Sequence, residues 1–303
     1  MNKHEKKLKE LQKFMEENYE EGMDQEDFSR LAQLFNYQHA DGYFSNIDES
    51  DDYLERAQYS YDDKEAIKYT KKALKINPDN LDAETYLIVL TSKNMHELYT
   101  RLQETLDKQR KKLRDEGYLT DEYKGSFWGV LETRPFIRLW YRYINVLIEM
   151  GMMDRTIEEL KEVLIWNEHD NCGGRYYLAH LYAYKQDKKA LFDLHEEFDD
   201  YEETQFLLPK SILFYKNGDL KEAETYLKKL EKCNPDIKKL VNPKKAEKLL
   251  LEGDEPLMEG AYRPGTYQEL FMEMDQFSFL FESVPYYFDW ANDILNKKGK
   301  AKK

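Results

Sequence analysis

The sequence predicts an all-α fold, and three observations predict it. Breakers are scarce, with 13 Gly and 8 Pro among 303 residues, while Leu, Glu, Lys and Tyr dominate runs that suit helices better than sheets. Apolar residues recur at helical spacing, as in Leu8, Leu11, Phe14 and Met15, and again in Phe28, Leu31, Leu34 and Phe35. A helical segment carrying a small residue and then a proline at a fixed distance appears twice. With 41% hydrophobic and 35% charged residues, the chain has enough apolar material for a core under a densely ionised surface.

The elements follow in order. Residues 1–46 form an N-terminal helical hairpin, divided near Glu21, Gly22 and Met23, with Asp24 as N-cap and Glu26 and Asp27 in the first turn of the second helix. A capping box is incomplete, because the third residue after Asp24 is Asp27 rather than Glu or Gln. A linker rich in Gly, Ser, Asn and Asp spans 41–52, within and beyond the hairpin's end. Residues 47–114 read as degenerate repeat pairs, and 115–134 as a connecting loop broken by Gly117, Gly125 and Gly129. Repeats fill 135–236. The remainder, 237–303, holds a second linker at 242–265, a C-terminal helical cap and a basic tail. In the cap, Thr266-Tyr267-Gln268-Glu269 has capping-box form, and the stripe from Tyr267 through Phe277 to Val284 predicts one helix ended by Pro285. A last short helix covers 286–295.

The repeats are the most specific signal. Ala66 and Ala223 each precede a proline, Pro78 and Pro235, by twelve residues in matching helical segments. This is the tetratricopeptide pattern, in which a small residue lets two helices approach closely and proline ends the second helix. Gly151, Lys185 and Gly218 hold the inter-helix turn at intervals of 34 and 33 residues, with Thr156, Ala190 and Ala223 in step. Trp140, and then Leu147, Leu181 and Phe214, take the buried positions of the first helices. Glu168 stands where proline is usual, and Ile144, Leu178 and Ser211 where glycine is usual, so the expected fold is an irregular tetratricopeptide-like helical solenoid.

Charge and cysteine content narrow the function. A net charge of −14 opposes non-specific attraction to nucleic acid or anionic membrane. Cys172 and Cys233 are too few for a disulfide framework. No run of about 18 apolar residues appears and the first residues lack a secretion signal, so a cytoplasmic location is expected.

No His-Glu-x-x-His helix, phosphate-binding glycine loop or Gly-x-Ser-x-Gly elbow is present, so no enzyme, metal or cofactor is expected. His169-Asp170-Asn171-Cys172 with His180 has irregular ligand spacing and reads as an inter-repeat turn. The acids from Glu197 to Glu203 read as a solvated loop. Arg134, Arg138 and Arg142 recur every four residues on one predicted helix. With Tyr141 and Asn145, and with Arg175, Tyr182 and Tyr215 from later repeats, they form the candidate lining of a concave groove. A carboxylate clamp of the co-chaperone type is matched only at Asn145, with Tyr141, Tyr176, Gln205 and Pro209 replacing its other members.

The expected function is therefore a scaffold or adaptor that holds a peptide or protein segment, acidic segments included. Two alternatives stand beside it. One is a peptide-sensing regulator whose N-terminal hairpin contacts DNA, opposed by Glu16, Glu17, Glu20, Glu21, Asp24, Glu26 and Asp27. The other is an enzyme acting on an anionic substrate, for which no positioned base or nucleophile is visible.

Two stretches carry a closer likeness: Phe127-Trp128-Gly129-Val130-Leu131-Glu132-Thr133-Arg134-Pro135, and Asp170-Asn171-Cys172-Gly173-Gly174-Arg175-Tyr176-Tyr177-Leu178. Together with Asn234-Pro235, Tyr262-Arg263-Pro264-Gly265 and the aromatic segment 285–290, they resemble a bacterial tetratricopeptide family related to the eukaryotic suppressor-of-tumorigenicity-seven proteins. The resemblance runs from Trp128 towards the C-terminus. It implies a helical repeat protein without established enzymatic activity and names no catalytic residue.

Overall fold

The computed structural model describes residues 3–19, 23–38, 49–199, 201–252 and 262–296. Most of the expected first linker, the middle of the second and the lysine-rich tail lie outside the described residues. Among the described residues the regular structure is entirely helical. The chain divides into two compact units, 1–171 and 172–303.

Unit 1 contains α1 (Lys3–Glu17), α2 (Gln25–Gln38), α3 (Glu49–Gln58), α4 (Asp63–Ile76), α5 (Leu81–Thr91), α6 (Met95–Asp115), α7 (Arg134–Glu149) and α8 (Met153–Trp166). Unit 2 contains α9 (Gly174–Lys185), α10 (Lys188–Glu197), α11 (Thr204–Lys216), α12 (Leu220–Cys233), α13 (Ile237–Leu240), α14 (Pro243–Glu252), α15 (Tyr267–Gln276), α16 (Ser278–Glu282) and α17 (Tyr287–Asn296). Within each unit helices pack chiefly on near neighbours, α3 on α4 and α4 on α5, or α9 on α10 and α11 on α12, which is the local order of a helical solenoid.

The small residues of the repeat pattern sit where it requires. Ala66, Thr156 and Ala223 are buried on the second helix of their pairs, and Trp140, Leu147, Leu181 and Phe214 are buried on the first. Gly151 and Gly218 adopt left-handed φ of 72° and 77°, as a tight turn between paired helices demands. In the middle repeat the left-handed residue is Gln186, with φ of 60°, and Lys185 remains the last residue of α9. The expected turn position is therefore one residue early there.

The departures from the pattern have physical causes. Ser211 is buried in α11 and donates to the Ala223 carbonyl of α12 at 2.9 Å, while Tyr287 of α17 donates to its hydroxyl at 2.7 Å. A hydroxyl thus joins three helices at a site where glycine would leave Tyr287 unpartnered. Glu168 replaces proline because its N–H is needed, donating to the Gly125 carbonyl at 3.1 Å. Gly125 N–H and Phe127 N–H return bonds to the carbonyls of Ile165 and Trp166, each at 2.9 Å. The connecting loop is thereby pinned to the end of α8, and Phe127 is buried against Trp166 and Phe136.

Two local expectations are corrected and a third gains detail. Asp24 and Asp27 do form a reciprocal cap, since Asp27 N–H donates to Asp24 at 3.1 Å and Asp24 N–H donates back at 3.3 Å. The second linker, expected to be partly irregular, begins as helix α14. The single cap helix is two, α15 and α16, broken at Phe277 with φ −118° and ψ 34°. Burial of Phe277 forces the break, because its ring stacks on His180 with centroids 3.9 Å apart and meets Tyr177 edge-on.

Gly125 gives the sharpest test of this packing. Its φ is +79°, and an added Cβ would lie 3.1 Å from Glu168 Cβ, whereas Gly151 has similar φ and open space. Gly151→Ala is expected to cost about 1–2 kcal/mol from backbone strain alone, and Gly125→Ala measurably more. Urea midpoints read the difference, and equal losses would overturn the assigned role of the loop.

Candidate functional site

The predicted groove residues fall in both units, and each unit has its own site. In unit 1, three helices turn one face each toward a cleft of about 400 Å³. Asp51, Leu54, Glu55 and Gln58 come from α3, and Asp82, Thr85, Tyr86 and Val89 from α5. Both sets follow the i, i+3, i+4, i+7 spacing of a single helical face. Arg138, Leu139 and Arg142 of α7 and the exposed Tyr59 complete the lining.

Within this cleft Arg138 is already engaged. Its Nε and one terminal nitrogen donate to the two Asp82 oxygens at 2.8 and 2.6 Å, and the terminal nitrogens also donate to Glu5 of α1, one of them at 3.1 Å. Burial opposes the guanidinium charge, but the hydrogen bonds it donates to Asp82 and Glu5 outweigh this and hold the group above its ordinary pKa. Asp51 is likewise satisfied, by Lys6 of α1 and by the Asn80 amide at 2.9 Å. Arg142 is exposed and makes no hydrogen bond or ion pair among the described residues.

The other α7 candidates do not line the cleft. Arg134 donates through Nε to the Trp128 carbonyl at 2.7 Å and lies over the Trp128 ring, so it staples the connecting loop. Tyr141 and Asn145 are half-buried and are not among the residues that line the cleft. What the sequence reading missed is the contribution of α3 and α5, whose shared spacing of polar and apolar residues was the available signal.

Unit 2 contains a second cavity, of about 360 Å³, lined by Tyr176, Glu203, Thr204, Gln205, Cys233, Tyr262, Pro264, Gly265 and Glu269. Its organising group is Glu269, only 5% exposed. The carboxylate accepts from Thr204 at 2.8 Å, Gln205 at 3.0 Å, Asn234 at 3.0 Å and the Gly265 N–H at 2.9 Å. The expected capping box is not formed: the Thr266 hydroxyl donates to the Arg263 carbonyl at 2.6 Å, and the Glu269 carboxylate gathers these donors instead. Beside it, His180 Nδ1 bonds the Tyr176 carbonyl at 2.8 Å and Nε2 faces Glu273 at 3.1 Å. With Nδ1 donating, that contact needs one more proton, on the imidazole or on the carboxyl.

Arg175 stacks over Tyr176 and Phe198 and donates to the Tyr176 hydroxyl at 2.7 Å. Burial and the Glu203 charge push the Tyr176 phenol up to about 12 despite Arg175. Tyr182 is buried in the core, which removes it from any groove surface, and burial with Asp187 and Glu197 pushes its phenol up to about 12. Tyr215 packs against Tyr287 and Trp290 at the edge of a shallow groove with the exposed Tyr286. Among the described residues no group of three or more His, Cys, Asp or Glu is arranged to hold a metal, and no helix is long and apolar enough to cross a membrane.

Two outcomes test the unit 2 network. Glu269→Ala takes their acceptor from the Thr204 hydroxyl and the Gly265 N–H, while Gln205 keeps Tyr262 at 3.2 Å and Asn234 keeps the Thr266 carbonyl at 3.0 Å, and it is expected to cost roughly 2–4 kcal/mol in urea unfolding; a loss below about 1 kcal/mol would show the carboxylate to be dispensable. Glu203 has its pKa raised above 4.5, first by burial, with Arg175 and Tyr176 opposing and Glu269 and Glu273 reinforcing. A raised acid contributes stability that is complete below about 4.5 and lost as pH rises through the folded value. Glu203→Gln should therefore raise the urea midpoint at pH 7 and leave it nearly unchanged at pH 4. The reverse pattern would contradict the assigned environment.

No protein-family model and no curated protein matches the chain.

Proposed function

We propose that the protein is a non-enzymatic scaffold or adaptor of tetratricopeptide type, holding a peptide or protein segment in the unit 1 cleft. The carrying observation is the lining of that cleft, where α3, α5 and α7 present matched faces around an apolar floor of Leu54, Val89 and Leu139. Tyr59, 74% exposed, and Tyr86 offer broad contact at low entropic cost, and the unpaired Arg142 offers forked donors to one carboxylate. The resemblance to the suppressor-of-tumorigenicity-seven relatives belongs to the same reading, as does a cytoplasmic setting, in keeping with the lack of a disulfide among the described residues.

The acidic preference is narrower than an arginine stripe implies. Arg134 and Arg138 have internal partners, and Asp51, Glu55 and Asp82 share the walls. A polyacidic ligand would meet repulsion, whereas a segment with one carboxylate near Arg142 would not.

Panning a displayed peptide library against the full chain, followed by fluorescence anisotropy, tests the proposal. Saturable binding is expected, weakened about tenfold or more by Arg142→Glu, which removes a charge-assisted contact of about 1.5–3 kcal/mol. Arg142→Ala should leave stability within about 0.5 kcal/mol. Recovery of no saturable peptide, or binding indifferent to Arg142 and to Tyr86→Ala, would sink it.

A further inference from the structure

The shallow groove of unit 2, about 620 Å³ in volume, takes no part in the proposed function. It is lined from the end of α9, the α11–α12 turn, the α16–α17 turn and α17 itself. Its surface is aromatic and apolar: Tyr286 is 73% exposed, Leu220 is 47% exposed, and the half-buried rings of Tyr215 and Trp290 lie 5.2 Å apart. Single exposed apolar side chains are ordinary, but here they gather on one concave surface, as docking sites do.

The charge of this surface runs against that of the chain. Among the described residues none of the 60 acidic side chains belongs to the lining, which holds one cation, Lys216. The adjoining acids Asp187 and Asp219 are turned to the N-termini of α10 and α12, where they accept from Ala190 N–H at 3.0 Å and Glu222 N–H at 3.3 Å. Lys216 is half-buried at the end of α11. Its ammonium donates to the Tyr184 carbonyl at 2.7 Å and the Ser283 hydroxyl at 3.3 Å, and it lies over the Tyr184 ring. All these partners are neutral, no ion pair reaches the group among the described residues, and one of its three N–H bonds is unspent. Burial alone lowers its pKa, with no neighbouring charge acting against it. The Trp290 indole N–H and the Tyr215 and Tyr286 hydroxyls likewise make no hydrogen bond among the described residues.

From this charge complementarity we infer that the groove docks a segment of a partner protein in which one Glu or Asp side chain is flanked by aromatic or aliphatic residues. The carboxylate supplies the counter-ion that Lys216 lacks, and a half-buried cation gains more from one than an exposed cation does. The flanking side chains cover Tyr286 and Leu220, and the indole and phenol donors take the segment's backbone carbonyls. A basic segment would meet Lys216 with like charge, and a wholly apolar one would desolvate the ammonium further without neutralising it. This surface goes beyond the unit 1 cleft and does not rest on it.

Magnetic resonance of the isotope-labelled full chain provides the test, because its four tryptophans give four indole N–H signals and Trp290→Phe identifies the one in the groove. The probes are the peptide Gly-Ser-Gly-Phe-Glu-Leu-Gly-Ser-Gly with both ends blocked and the same peptide with Gln in place of Glu. The Glu peptide is expected to move the Trp290 signal saturably, with an affinity about tenfold above that of the Gln peptide. Rising salt should narrow that difference, Lys216→Met should abolish it and Lys216→Arg should retain it. Tyr286→Ala, at an exposed position, should weaken both peptides without loss of stability, and Arg142→Ala should change neither. Circular dichroism checks the fold of each variant; if Lys216→Met does not fold, the Glu-to-Gln difference and Tyr286→Ala decide. Equal affinity for the two peptides, a preference that survives Lys216→Met, or a Trp290 signal that neither peptide moves would overturn the inference. A Gln peptide that binds only with its C-terminus unblocked would overturn it too, by assigning the groove to a chain end.

Discussion

Close approach of paired helices is the constraint on which both units depend. Ala66, Thr156 and Ala223 are buried against the first helix of their pairs, and a larger side chain at any of them would hold the two backbones apart. Once the second helices α4 and α8 are committed to that packing, the first helices α3 and α7 have one face left over. In unit 1 those faces, with that of α5 between them, become the cleft. Its lining is therefore polar and apolar by turns: Leu54, Val89 and Leu139 continue the core outward, while Asp51, Asp82 and Arg138 mark where water begins.

Unit 2 applies the same constraint with a different closure. Its C-terminal helices are held by buried polar groups as much as by apolar area. Glu269 of α15 gathers donors from α11, α12 and the preceding turn, and Tyr287 of α17 bonds Ser211 at the centre of the α11–α12 pair. Buried polar networks of this sort fix one arrangement, because a shifted helix would leave several groups unpaired at once. Phe277 adds an apolar lock, and the helix breaks so that its ring can reach His180.

Much of this was legible in the sequence where one physical cause dominates. Periodicity located the helices, and the Ala–Pro interval located the pairs. Legibility ended where two causes compete. Phe277 fits a helical stripe, yet tertiary burial breaks the helix there. Glu269 fits a capping box, yet four interior donors claim it. Glu168 looks like a degraded proline until the Gly125 carbonyl reveals the need for its N–H. The arginine stripe on α7 is the clearest case. Spacing placed Arg134, Arg138 and Arg142 in line, but their partners, the Trp128 carbonyl, Asp82 and Glu5, are distant in sequence or lie in a loop, and only the fold distinguishes an engaged guanidinium from an open one.

That distinction changes what the acidic composition means. A chain with a net charge of −14 repels anions on average, yet binding is decided within a Debye length of the cleft, about 8 Å at physiological salt. There the charges alternate: Arg138 between Asp82 and Glu5, and Asp51 against Lys6. An alternating field attracts neither sign as such. It discriminates by position, since each buried or half-buried charge is met by one of opposite sign from a particular helix. Pairing of this kind needs little net charge, and it explains how an acidic helical protein holds its own charged N-terminal helix in place.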